Sequence, residues 1–216
     1  TNSNNKIDKK ETTVSELKPS SKEKSISKQE DTYSKQVTIY RSNGNVVSMD
    51  LEEYLIGVVG AEMPASFQME ALKAQAVVAR TYALKLLASG KKLTDTVSTQ
   101  VYKDNNELKK LWGNSYSTYY QKIKEAVTST KGVSVYYQGN YINALYHSTS
   151  NGKTEDASMV WGNSVPYLKS VDSKWDVQAS SYLREIKEDF TNVLNLLGIS
   201  NDTNIQFEII SRDESG

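Results

Sequence analysis

Glu62 stands in the run Gly60-Ala-Glu-Met-Pro64, where a carboxylate is hard to account for as a simple surface charge. Ahead of it, Leu51, Tyr54, Leu55, Val58 and Val59 recur at helical spacing behind Asp50, a good N-cap with Glu53 at the capping-box position. Continued one more turn, that stripe arrives at Glu62. Pro64 turns Met63 away from the α region, so the helix is expected to end there with Glu62 in its last turn. A carboxyl on the apolar side of a helix is desolvated, and one at a helix C-terminus meets the negative end of the macrodipole. Both effects favour the protonated form, which a general acid near neutral pH requires. The structural alternative is an ion pair with Arg80, or solvation in a frayed helix end.

The second group able to do chemistry is Tyr146-His147-Ser148-Thr149-Ser150-Asn151-Gly152, which contains the one His of the chain. A strand delivering His147 into a hydroxyl-rich loop places hydrogen-bonding groups where a sugar meets them. His147 and Ser148 do not make a catalytic pair, because neighbours in an extended chain point to opposite faces. A zinc site from His147, Glu155, Asp156 and water has no support from spacing, and there is no Cys. His147 is therefore either a hydrogen-bonded loop residue or a substrate contact. Tyr146, Trp161, Tyr167 and Trp175 are able to stack on sugar faces or to serve as core.

These groups need elements to hold them. After Ser66, read as an N-cap, the residues Met69, Leu72, Ala76, Ala79, Ala83 and Leu86 step by three and four, and Gly90 stands past the end. The small face of this long helix is expected to meet Gly57 and Gly60 of the preceding one and to hold the elbow at Glu62 rigid. Residues 36–40 and 45–49 read as strands around Ser42-Asn43-Gly44, and residues 133–137 and 141–146 as a second hairpin around Gly139-Asn140. Further helices are expected near residues 106–112, from about 117 to 132, and over 182–197 before Gly198, with a strand at 205–210. The pattern is α+β: a single domain over residues 36–216, with β-hairpins packed against several helices. Residues 1–35 are rich in Lys, Ser, Glu, Asn and Thr and read as a disordered N-terminal tether.

Composition narrows the function. The 216 residues carry 26 basic and 26 acidic side chains, a balance that argues against a nucleic-acid partner. The absence of Cys excludes disulfides and thiolate zinc sites. No apolar run approaches the roughly 20 residues a membrane-spanning helix needs. The chain begins at Thr1, which leaves room for a membrane anchor or signal upstream.

The motifs Leu51-Glu-Glu-Tyr-Leu-Ile-Gly-Val-Val59, Ala61-Glu-Met-Pro64 and Glu70-Ala-Leu-Lys-Ala-Gln-Ala-Val-Val-Ala-Arg-Thr-Tyr-Ala83 closely resemble the SpoIID/LytB family of cell-wall proteins. Thr99-Gln-Val-Tyr102, Thr130-Lys-Gly132, Ala144 to Gly152 with Thr154-Glu155, Val160-Trp-Gly162, Pro166-Tyr-Leu168 and Val171-Asp172 follow in the family's order. The resemblance runs from about residue 36 to the end, where relatives continue into further strands and a helix, so this chain is read as truncated relative to them. It implies a peptidoglycan lytic transglycosylase with Glu62 as catalytic acid. Gln75, Arg80, Tyr146, His147, Ser148, Thr149 and Trp161 are assigned to substrate binding, with no metal ligand and no cofactor. It further implies glycan strands as substrate, an extracytoplasmic place of work in septal wall remodelling during sporulation engulfment, and a partner cell-wall amidase. A non-catalytic wall-binding amidase enhancer on the same fold is the alternative, and a metal-dependent hydrolase centred on His147 a third reading.

One carboxylate rather than two fits the first reading. Hydrolytic glycosidases use a second Asp or Glu, and neither Glu70, Asp172 nor Asp176 is singled out by local pattern. A transglycosylase needs no such partner, because the C6 hydroxyl of the N-acetylmuramic acid attacks the anomeric carbon.

Overall fold

Side-chain alternation of period two puts Val37 and Ile39 on one face of β1 (Gln36–Tyr40), where both are buried. The computed structural model describes residues 35–179, 182, 187–199 and 208. β1 pairs antiparallel with β2 (Val46–Asp50), from Gln36 opposite Asp50 to Tyr40 opposite Val46, across the expected turn. Its other edge pairs in parallel with β3 (Leu93–Thr94), giving the order β2-β1-β3. β3 was not anticipated, since two residues are too short to show a period.

Asp50 caps α1 (Leu51–Glu62) by accepting from the Glu52 N–H. The helix stops as Pro64 dictates: Met63 is extended at φ −130°, ψ 134°, and Glu62 is the last helical residue. α2 (Met69–Ala88) starts at Gln68 rather than after Ser66, because residues 64–67 close a turn with Phe67 N–H donating to Pro64 O at 3.0 Å. Asp104 and Glu107 form a capping box on α3 (Asn105–Trp112), and α4 (Tyr116–Ser129) follows. Val37, Ile39 and Leu93 of the sheet share one core with Tyr54, Leu55, Val58 and Val59 of α1, Leu72, Ala76, Ala79 and Ala83 of α2, and Ile123, Ala126 and Val127 of α4. Truncating a side chain such as Leu55 in that core costs about 2–5 kcal/mol.

The expected partnership between Gly57, Gly60 and the alanines of α2 is corrected. A Cβ on Gly57 would collide with the Tyr102 ring and stand 2.5 Å from Lys103 O, and one on Gly60 would stand 2.9 Å from Trp112 and 3.1 Å from Leu108. The glycines admit the 102–112 segment, while α2 packs on a different side of α1.

The second hairpin is shorter than expected. β4 (Tyr136–Tyr137) and β5 (Asn140–Tyr141) flank Gln138-Gly139, both at positive φ (48° and 75°), as a two-residue primed turn requires. Beyond it Ile142 N–H reaches Val135 O, but the return donor, Val135 N–H, is taken by the Thr81 hydroxyl. Tyr146 and His147 therefore lie on irregular chain rather than on a strand. α5 (Ala157–Trp161) is capped by Asp156. α6 (Phe190–Leu196) begins at Asp189, whose side chain accepts from Thr191 and Asn192, so the helix expected from residue 182 starts eight residues later. The tether residues 1–34 and most of the strand expected at 205–210, Glu208 excepted, lie outside the described residues. Among the described residues no helix is long and apolar enough to cross a membrane.

Candidate active site

Glu62 is half-buried at the end of α1, and its Oε1 accepts a hydrogen bond from Val101 N–H at 2.7 Å. Val101 arrives there because the following residues lie in the notch of Gly57: Lys103 N–H donates to Gly57 O, and the Tyr102 ring stacks on Tyr54 with centroids 5.5 Å apart. A carboxylate at a helix C-terminus has no helical N–H to turn to, so a donor from another segment fixes its orientation.

Tyr146 lies within the field of that carboxyl. Its hydroxyl donates to Gln100 Oε1 at 3.4 Å. Burial, then the charge of Glu62 and the interaction between the two side chains, push the Tyr146 phenol far above its ordinary range, so it stays protonated and acts as donor. Gln100, 1 % exposed, continues the network by donating from Nε2 to the Tyr54 hydroxyl at 3.4 Å. Burial likewise raises Tyr54. The arrangement is a single carboxyl, oriented by a backbone amide and still reachable from solvent, which suits proton transfer to and from a bound molecule.

The other predicted site residues divide. Arg80 is not at this site. It is 1 % exposed, forks onto Glu52 with Nε–Oε1 at 2.9 Å and Nη2–Oε2 at 2.6 Å, and donates to the carbonyls of Val127 and Val133. Glu52 lies ten residues before Glu62, about 15 Å along α1. A guanidinium spent on a carboxylate and two carbonyls has little left for a sugar, so its assignment to substrate binding is corrected to a structural one, and the proposed Glu62–Arg80 ion pair does not form. Gln75 is buried on α2, and its Nε2 finds no partner among the described residues. His147 and Ser148 are exposed and Thr149 is half-buried. In the same loop the Ser150 hydroxyl and N–H donate to Asp176 Oδ2 at 2.7 and 2.6 Å and lower the Asp176 pKa. Trp161 ends α5 and is 57 % exposed.

Glu70 pairs with Lys73 at 2.7 Å and Asp176 with Ser150, so neither is placed as a second acid beside Glu62. Among the described residues no group of three or more His, Asp or Glu side chains is placed to hold a metal ion. Asp156, one residue of the zinc alternative, caps α5 and pairs with Lys169 at 3.0 Å, with its pKa lowered to about 2 by the Ser158 hydroxyl and N–H and by Lys169. Sequence reasoning missed Gln100 and the Val101 amide. The signal for them was Thr99-Gln-Val-Tyr102, used only as a likeness.

An α+β domain with one oriented carboxyl closing its first helix is the class that fold and site define. Residues 40–137 match the SpoIID family model, Stage II sporulation protein, so the chain carries a SpoIID domain. It is 48% identical over 155 residues to Stage II sporulation protein D of Bacillus subtilis (strain 168) and 46% identical over 156 residues to the protein of that name in Bacillus amyloliquefaciens. Each match covers 68% of this chain and 45% of the relative, so the chain spans about half the length of these relatives. An Amidase enhancer of Bacillus subtilis is 42% identical over 114 residues, 53% of this chain and 14% of that protein.

Proposed function

We propose that this chain is a lytic transglycosylase that cuts peptidoglycan glycan strands between N-acetylmuramic acid and N-acetylglucosamine and leaves 1,6-anhydro ends. The observation that carries the reading is the half-buried Glu62 carboxyl at the end of α1, held by the Val101 amide. Protonated Glu62 gives its proton to the glycosidic oxygen as the C1–O bond breaks, and the bonding pair leaves on that oxygen. The C6 hydroxyl oxygen of the same muramic acid then bonds to C1, and its proton passes to the Glu62 carboxylate, restoring the acid. One group serves both transfers by microscopic reversibility. Tyr146 donates to the carboxylate between the two steps, when the negative charge is largest. His147, Ser148, Thr149 and Trp161 supply sugar contacts, and Gln75 a donor that binding can satisfy. No cofactor enters the reaction.

Likeness to two sporulation proteins D supports work in sporulation, on septal wall outside the cytoplasmic membrane during engulfment, beside a cell-wall amidase and tethered by residues 1–35. Likeness to an amidase enhancer favours a second reading, a wall-binding module that stimulates an amidase without cleaving. Mass spectrometry of strands incubated with wild type and with Glu62→Gln separates them. The enzyme reading expects anhydro ends from wild type and a loss of about 10²–10⁴ in rate for the variant, with binding kept. Binding without cleavage by either protein selects the module. Undiminished anhydro formation by Glu62→Gln removes Glu62 as the acid.

A further inference from the structure

Trp175 is 66 % exposed, on a 3₁₀ turn (Lys174–Gln178) anchored to the 150–154 segment. Asp176 accepts from the N–H and hydroxyl of Ser150, Ser173 N–H donates to Gly152 O at 2.8 Å, Thr154 N–H donates to Val171 O at 2.9 Å, and Lys153 bridges Asp172. A large ring kept in water by a well-anchored backbone is surface prepared for a ligand, since indole left to itself is largely buried in folded proteins.

We infer that Trp175 is a stacking platform for an N-acetylhexosamine ring of the strand that Glu62 cleaves, at a separate subsite. The inference rests on the glycan reading of Glu62. Continuity with that carboxyl identifies the occupant. Val101 donates to Glu62, the adjoining Gln100 accepts from the Tyr146 hydroxyl, Ser150 of the same loop as Tyr146 donates to Asp176, and Asp176 adjoins Trp175. A polymer seated at Glu62 and led along this path meets the hydroxyls of Ser148 and Thr149 and then the indole. The negative face of an aromatic ring attracts the polarised C–H groups on the apolar side of a sugar, just as it already attracts the Lys174 ammonium, 5.2 Å from the ring centroid. Val171 and Val177, close to it in the chain, are exposed too. The ligand class is a neutral pyranose with one apolar face.

The test uses the full chain carrying Glu62→Gln, so that strands bind without being cut. Affinities are measured for long glycan strands and for the N-acetylglucosaminyl-N-acetylmuramic acid disaccharide, which is too short to occupy both subsites. Trp175→Ala is expected to weaken long-strand binding about tenfold, Trp175→Phe to keep most of it, and the disaccharide to bind all three proteins alike. Thermal melting checks that Trp175→Ala folds as its parent does. Equal long-strand affinity of Trp175→Ala and its parent overturns the platform, and so does an equal loss for strand and disaccharide. If anhydro ends are still formed by the protein with native Glu62, the cleavage reading survives that result. A parent that binds no strand of any length overturns the glycan reading itself.

Discussion

The Val101 amide donates to Glu62 Oε1 across 2.7 Å, joining residues 39 apart in the chain. The last residue of the first helix is thereby oriented by a segment that follows the second helix and β3. Val101→Pro removes this one donor. A hydrogen bond to a charged group contributes about 1.5–3 kcal/mol, so turnover is expected to fall roughly ten- to a hundredfold. Val101→Ala keeps the N–H and is expected to stay near wild type. Equal rates for the Pro and Ala variants, both shown folded by circular dichroism, would sink the orienting role.

Tyr146→Phe keeps the ring and deletes the hydroxyl proposed to support the Glu62 carboxylate. About a tenfold drop in kcat with little change in KM is expected, because the donor matters most when the carboxylate is fully charged. A rise in KM with kcat unchanged would make Tyr146 a ground-state contact instead.

Arg80 ties the start of α1, through Glu52, to the end of α4 and the chain beyond it. Arg80→Met leaves Glu52 buried without its cation and removes donors from two carbonyls. A loss of about 3–5 kcal/mol is expected, roughly 10 °C in melting temperature. Turnover measured well below the transition should change little. Wild-type stability with abolished turnover would return Arg80 to the substrate site.

Gly57→Ala tests the notch that admits Tyr102 and Lys103. The new methyl must displace backbone, so a destabilisation of about 1–3 kcal/mol is expected in urea unfolding, together with reduced turnover as Val101 shifts from Glu62. Unchanged stability would show that the segment moves aside freely.

Acid should weaken the domain through Arg41. Burial by itself would raise the Asp95 pKa, but hydrogen bonds from Arg41 and Ser42 and the charge of Arg41 hold it below the ordinary carboxylate range. The Glu107 and Asn106 N–H groups, with Arg41, lower Asp104 too. Groups lowered on folding stabilise above their unfolded pKa, near 4, and that contribution is lost as pH falls through the folded values. Urea midpoints are expected to be level above about pH 5 and to fall below about pH 4, less steeply in Arg41→Met. A midpoint flat to pH 2 would exclude this linkage.

The local signals in the sequence were strong where one element carried them. Gln36–Tyr40, the Asp50 cap and the stop before Pro64 follow from period, capping chemistry and the proline rule, and they place Glu62 correctly at a helix end. Partners distant in the chain were not legible. Gly57 and Gly60 announce a close approach but do not say by what, and the segment with Tyr102 and Trp112 fills the space assigned to alanines. Arg80 read as a site residue because a charge beside a small-residue face has no visible partner in one dimension, whereas Glu52 lies 28 residues away. The second hairpin lost its length because the Thr81 hydroxyl, 54 residues away, took the Val135 amide that a longer ladder needed.

The parallel pairing of β1 with β3 sets an order of assembly. β1 and β2 meet through a short turn and can associate early, but Ile39 meets Leu93 only after a 54-residue loop containing α1 and α2 has closed. Loop closure of that length is entropically opposed until the helices have packed, so β3 joins late in folding. The chain that follows β3 is the one that delivers Val101. Amide exchange of a refolding protein should therefore protect α1 before Val101, and the carboxyl of Glu62 acquires its orientation among the last events of folding.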